Sequence, residues 1–276
     1  MNDHVPTPRQ PVLFISHGSP TFAVEPGELG PRLRETGASL ENVRAVLVVS
    51  PHWQTDGVRV TTSERPPTIH DFGGFPEALY RLRYDVAGAP DVAAEAASLL
   101  TDAGFRVTPD AVRGLDHGAW VPMSHLLPDA TIPVIQVSMP HDLDTASALA
   151  FGRALAPLRD RGVLIVGSGS LTHNLYEVRR TTDEAPYAQR FATWNRDAIG
   201  ARDIEALVDY RRRAPEASRA HPTEEHYLPL LVALGASDAS DPAFLIEGGM
   251  TYGVLSMDSY AWGFGDAQAG HMTRLA

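Results

Sequence analysis

The chain has no cysteine among its 276 residues. Disulfides, thiolate nucleophiles and cysteine-based zinc sites are therefore excluded. Basic residues are also scarce, 23 Lys and Arg against 34 Asp and Glu, for a formal net charge of −11. Nucleic acids and anionic membranes both select clustered cations, so neither is expected as a partner. The only basic run, "RRR" at 211–213, reads as a solvated helix end. No stretch approaches the ~18 apolar residues of a membrane span. The opening "MNDHVPTPRQP" lacks the apolar segment of a signal peptide, and a cytoplasmic location is the expectation. Several catalytic signatures are missing too: no GxSxG nucleophile elbow, no P-loop, and no third glycine after Gly167 and Gly169 to complete a dinucleotide fingerprint. For Gly167–Ser170 a tight strand-to-helix turn is the plainer reading. Internal repeats, low-complexity segments and long linkers are absent as well, so residues 1–276 are expected to form a single domain.

What is present is a series of short apolar runs: Val12–Ile15, Ala45–Val49, Ile132–Val137 and Val163–Val166. Unalternating Val, Ile and Leu suggest strands covered on both faces. Helical signals lie between them. "DVAAEAASLLTDAG" (91–104) is preceded by Pro90 and ends on Gly104, and 144–162 opens on Asp144, a candidate N-cap. The alternation predicts an α/β fold with a central, mainly parallel or mixed sheet flanked by helices. "SERPPT" (63–68) reads as a loop.

Two of the apolar runs are followed closely by a histidine. "VLFIS" leads into His17, and His52 follows Val49 by three residues; His173 follows Val166 by seven. In open parallel sheets, ligands bind beyond the carboxyl ends of the strands, so these imidazoles could converge on one crevice. Eleven histidines in all motivate a search for metal ligands. Each has a plainer alternative, since a lone strand-end histidine is commonly a hydrogen-bonded structural residue. His226 stands ahead of an apolar stretch in which Pro229 suits a first helical turn, and it could merely cap that helix. His221 and His226 do not have the HExxH spacing of zinc proteases. His117 lies between Asp116, which could orient it, and Gly118. His125 reads as a structural helix-face residue, His70 and His141 as loop residues able to line a pocket, and His4 and His271 as solvated near the termini.

The ordered motifs "HGSP" (17–20), "SPHW" (50–53), "LDHGAW" (115–120), "IPVIQVSM" (132–139), "GSGSLTHNL" (167–175) and "HPTEEHYLPLLVALGA" (221–236) resemble the class III extradiol ring-cleavage dioxygenases, in particular the 4,5-DOPA extradiol dioxygenase-like branch. The resemblance covers most of the chain. It implies that His17, His52 and His226 are metal ligands, the third being a glutamate in the protocatechuate-cleaving branch. It implies that His173 is the active-site acid/base and a candidate fourth ligand, and that His117 is a second pocket histidine contacting substrate or oxygen. "SPHW" departs from the "SAHW" of that branch, which alters the backbone and leaves the ligand in place. The activity implied is Fe(II)-dependent opening of a DOPA-like catechol ring by O2 to a ring-opened semialdehyde. Zn(II) can occupy the same ligands but has no redox chemistry. Two rivals stay open: a zinc-dependent hydrolase, and a non-catalytic metal-binding protein on the same fold. The sequence sets no oligomeric state and does not identify the physiological catechol.

Overall fold

A computed structural model describes residues 9–181 and 183–276; His4 lies outside the described residues. The first half of the chain runs β1 (Val12–Ser16), α1 (Leu29–Ala38), β2 (Ala45–Thr55), β3 (Val58–Thr61), α2 (Glu77–Tyr80), α3 (Pro90–Asp102), β4 (Val107–Asp110), α4 (His117–Leu126) and β5 (Val134–Pro140). The second half runs α5 (Thr145–Leu155), β6 (Val163–Gly169), α6 (Pro186–Gly200), the short helices α7 (Ile204–Val208), α8 (Tyr210–Arg213) and α9 (Ala217–Ala220), then α10 (Leu228–Ala236). Five short strands close it: β7 (Ala243–Ile246), β8 (Met250–Thr251), β9 (Leu255–Ser256), β10 (Ser259–Trp262) and β11 (Thr273–Arg274).

Nine strands form one mixed sheet in the order β11-β7-β10-β1-β6-β2-β5-β3-β4. Its centre, β1-β6-β2-β5, is parallel, and β10 joins β1 antiparallel. The apolar runs are unalternating because both faces are covered. Val12 and Phe14 of β1, with Leu47 and Val49 of β2, enter the core that contains α5 and α10. Leu13 and Ile15, with Val46 and Val48, enter the opposite core, packed with α1 and α4. Local chemistry sets the helix ends. Pro90 opens α3, and Gly104 follows it at φ +92. Asp144 forms a capping box with Ser147 at the start of α5. The helix expected over 144–162 stops at Leu155 and continues as a 3-10 segment, Ala156–Arg161. Pro157, which has no N–H to donate, lies in the first turn of that segment.

Two other expectations change. The run Ala45–Val49 continues as strand to Thr55 through an irregularity. Gly167–Gly169 is the end of β6 and not a strand-to-helix turn. A Cβ at Gly167 would run into Pro229 O, and one at Gly169 into His226 O. These glycines let the start of α10 lie directly against the strand. The arginine run 211–213 is a helix end, as read, with Arg212 solvated; Arg211 instead turns back to Glu224 and to the His221 carbonyl.

His221 is a core residue. It is fully buried, its Nε2 lies 2.9 Å from Leu171 O, and its ring meets Phe191 and Tyr227. Burial pushes its pKa down to about 3. Between that value and 6.5 the unfolded chain binds the proton more readily. The stabilising contribution is therefore complete above pH 6.5 and is lost as pH falls, by about 2 kcal/mol at pH 5. Urea unfolding in EDTA at pH 7 and pH 5 should show a smaller loss for His221→Gln than for the wild type. Equal losses would show that His221 does not carry this pH dependence.

Candidate metal centre

Three of the expected ligands meet. His17 directly follows β1, and Gly18 takes φ +59 immediately after it. A Cβ at Gly18 would run into Met257, so this turn calls for glycine on both counts. His52 sits inside β2. The register against β5 shifts between Val49↔Val137 and Gln54↔Met139, so Ser50–Trp53 bulge out of the ladder. A bulge re-aims side chains, and this one turns His52 toward His17. His226 lies two residues before α10, whose first turn holds Pro229. The N-cap of that helix is Tyr227 and not His226; the His226 ring meets Glu225 and His52, and its carbonyl accepts from Ser170 N at 2.9 Å. The Nε2 atoms of His17 and His52 lie 3.1 Å apart, and those of His52 and His226 lie 3.4 Å apart.

The partners of the other ring nitrogens decide where the protons are. Ser168 Oγ donates to the Gly118 carbonyl, so it can only accept from His17 Nδ1, 2.9 Å away. Glu225 Oε1 lies 3.1 Å from His226 Nδ1 and also only accepts. Both rings therefore carry their proton on Nδ1 and turn an Nε2 lone pair inward. A single N–H on His52 cannot satisfy both. A divalent cation can, and ligands at right angles ~2.1 Å from one ion stand roughly 3.0 Å apart. Burial lowers the pKa of all three imidazoles, His52 to about 3, and keeps them in the neutral form that ligates.

His173 and His117 join the cluster on two sides. His173 stacks on His226, with centroids 3.5 Å apart and planes 9° apart. Ligand atoms of His173, Glu225 and His226 all lie within 4.8 Å of one another, so His173 stands within reach of the centre as a candidate ligand as well as an acid/base. Burial pushes His173 down to about 4. His117 opens α4, its ring 4.0 Å from that of His52. Asp116 does not orient it. That carboxylate caps α4 and bonds Ser50 and Gln136. The orienting group is Asp71, whose oxygens accept from His117 N at 2.8 Å and from Nδ1 at 3.0 Å. Burial raises Asp71, but the His117 hydrogen bonds outweigh it and hold the carboxyl below its ordinary range.

Asp71, Ser168 and Glu225 are the functional neighbours that sequence reasoning missed. Asp71 lies in a loop with no periodic signal. Glu225 stands beside His226 in the sequence and was the most findable. Among the described residues, the remaining histidines are structural or lie elsewhere. His125 bonds Phe22 O, His70 bonds Leu82 O, and His271, read as solvated, is half-buried against Thr36 Oγ1. His141 is exposed on a smaller, separate cavity. The histidine cluster faces a cavity of about 1420 Å³ lined by His52, His117, His173 and His226 together with apolar side chains such as Phe72 and Met257. No helix of the described residues is long and apolar enough to cross a membrane.

The fold and the site together define an α/β protein with a buried, histidine-built candidate metal centre at the carboxyl ends of its central strands. The chain belongs to the family described as the catalytic LigB subunit of aromatic ring-opening dioxygenase, whose model matches residues 12–259. It is 40% identical over 253 residues to a 4,5-DOPA dioxygenase extradiol of Beta vulgaris, covering 90% of this chain and 94% of that protein. It is 39% identical over 254 residues to the protein of the same description from Escherichia coli K12, covering 90% and 93%. A crystal structure of an uncharacterized Escherichia coli K12 protein superposes with a TM-score of 0.76 at 32% identity, covering 92% of this chain and 99% of that one. Extradiol ring-cleaving dioxygenase activity is thus the function of this chain.

A Cβ at Gly118 would run into Ser50 Oγ and come within 3.0 Å of His52 Cδ2. Alanine is otherwise favoured over glycine in a helix by about 1 kcal/mol, so Gly118→Ala should fold while displacing His52. Divalent-metal affinity, measured by competition with a chromophoric chelator, should fall by about 10–100-fold, as when a ligand's support is lost. Unchanged affinity would show that His52 is free to adjust.

Proposed function

We propose that residues 1–276 act as one cytoplasmic catalytic domain that binds Fe(II) through His17, His52 and His226 and opens the ring of a DOPA-like catechol with O2, giving a ring-opened semialdehyde. The observation that carries this reading is the meeting of three Nε2 atoms, two of which must present lone pairs, at the edge of a cavity large enough for an aromatic substrate. Fe(II) bound there would supply the electronic route between an electron-rich catecholate and O2; Zn(II) would be held without turnover.

The chain's own groups then handle protons and position. His173 is neutral near pH 7, so its free nitrogen can accept a proton from a catechol hydroxyl as substrate enters. Its low resting pKa matters here. A nearby catecholate stabilises the imidazolium and raises that pKa, and the proton is then available to an oxygen atom derived from O2 as the ring opens. One imidazole can thus serve as base and then acid. His117 keeps its proton on Nδ1, facing Asp71, and offers Nε2 as an acceptor to a substrate hydroxyl. The cluster's burial and the apolar lining limit bulk water around these transfers.

Anaerobic loading with Fe(II), followed by an oxygen-electrode assay over a panel of catechols, tests the reading. We expect one O2 consumed per catechol and no uptake by Zn(II)-loaded protein. Hydrolysis without oxygen uptake would establish the zinc hydrolase, and no turnover at all the metal-binding protein. His173→Ala should retain metal while single-turnover rates fall by a factor of about 10²–10⁴. Recovery of rate with added Fe(II) would instead make His173 a ligand.

A further inference from the structure

His52 is held differently from the other two histidines. His17 N donates to Gly169 O at 2.9 Å, and the His226 carbonyl accepts from Ser170 N at 2.9 Å, so main-chain bonds fix both. The bulge at Ser50–Trp53 takes His52 out of the ladder, and backbone groups that leave a ladder need other partners. Here side chains supply them. Pro51 O accepts from Gln54 Nε2 at 3.2 Å, His52 N donates to Ser50 Oγ at 3.3 Å, and His52 O accepts from Arg113 Nη2 at 3.3 Å.

Two of these bonds close into a circuit through Asp116. That carboxylate accepts from Ser50 Oγ at 3.0 Å through Oδ1, and its Oδ2 lies 3.5 Å from Arg113 Nη2. The path runs from His52 N through Ser50, Asp116 and Arg113 back to His52 O. Asp116 is fully buried and anchored on other sides. Ala119 N donates to Oδ1 at 3.2 Å, and Gln136 of β5 donates to Oδ2 while its Oε1 accepts from Asp116 N at 3.2 Å. Burial raises the Asp116 carboxyl, but each group bonded to its oxygens is a donor, which favours the carboxylate. Arg113 also packs over the Trp53 ring, 5.3 Å from its centroid, so its guanidinium grips the bulge at two successive residues.

We infer that Arg113 and Asp116 are positioning residues for His52, fixing its main chain, and with it the aim of its Nε2, where strand pairing no longer does so. This rests on the reading of His52 as a metal ligand. Neither residue lines the main cavity, so both act through His52 and not on the substrate. The chemistry of the pair suits the task. One Nη2 carries two hydrogens and can serve the His52 carbonyl and the Asp116 carboxylate together. The carboxylate in turn holds the guanidinium in place by charge as well as by hydrogen bonding.

The test is equilibrium binding of Co(II), read by competition with a chelator and by the visible absorption of the bound ion, with no turnover involved. Arg113→Met keeps a long side chain and removes its donors. Affinity should fall by about 10–100-fold, the usual cost of losing a partner behind the ligands, and the absorption bands should shift as the ligand geometry changes. Asp116→Asn keeps the shape, removes the charge and should cost a similar factor. Because both act through one circuit, the double variant should lose less than the product of the two single losses. Val92→Ala, a truncation in the core under α3, should lower the stability of the metal-free protein to urea while leaving Co(II) affinity and absorption unchanged, which separates a loosened fold from a displaced ligand. Unchanged affinity in either single variant, losses that multiply in the double variant, or a Val92→Ala protein that loses affinity to the same extent would overturn the assignment. Wild-type protein that binds no Co(II) would instead overturn the metal-centre reading on which it rests.

Discussion

Everything at this site depends on keeping several imidazoles neutral, close together and correctly protonated. Burial alone secures the first condition, because a charged ring in a dry cluster of other rings is costly. It does not secure the third. A neutral histidine has two tautomers, and only one presents an Nε2 lone pair to the centre. The protein selects that tautomer with groups that can only accept: Glu225 behind His226, and Ser168 behind His17 with its own proton committed to Gly118 O. Asp71 does the same for His117.

The sheet has to deliver these rings to one point, and close backbone approach is how it does so. β1 and β6 run parallel with their carboxyl ends level, so His17 N can donate to Gly169 O at 2.9 Å. The missing side chains at Gly167 and Gly169 let the segment around His226 settle onto β6. Gly118 clears space for Ser50 and the His52 ring. Larger residues at these positions would push on Pro229, on the His226 carbonyl or on the His52 ring and so separate the histidines, so the glycines belong to the site as much as the imidazoles do.

Much of this was legible in the sequence, and the parts that were not share a cause. Val12–Ile15 and Val163–Val166 read as buried strands because both faces are apolar. His17 and His226 were findable because a strand end and a helix start bracket them. The extension of β2 through Pro51 and His52 was not, since a bulge with a proline has no pattern of period two. Asp71 was invisible for a stronger reason. It reaches His117 from 46 residues away in sequence, and nothing in a loop's composition says which helix its carboxylate will meet. Asp116, adjacent to His117, suggested itself instead. Adjacent residues at a helix start point apart, and Asp116 is spent on capping α4.

Ligand charge connects the centre to the rest of the molecule. Ligation by three neutral imidazoles would leave a divalent ion's charge uncompensated within its first ring of contacts. The carboxylates that answer it, Asp71 and Glu225, bond to ring nitrogens and so offset it only at a distance. An anionic ligand such as a catecholate would therefore find its strongest attraction at the centre. Elsewhere the acidic chain would repel it, since the field of the whole protein opposes what the site attracts. That opposition leaves the local field around the imidazoles, and not the field of the whole chain, to draw an anion in.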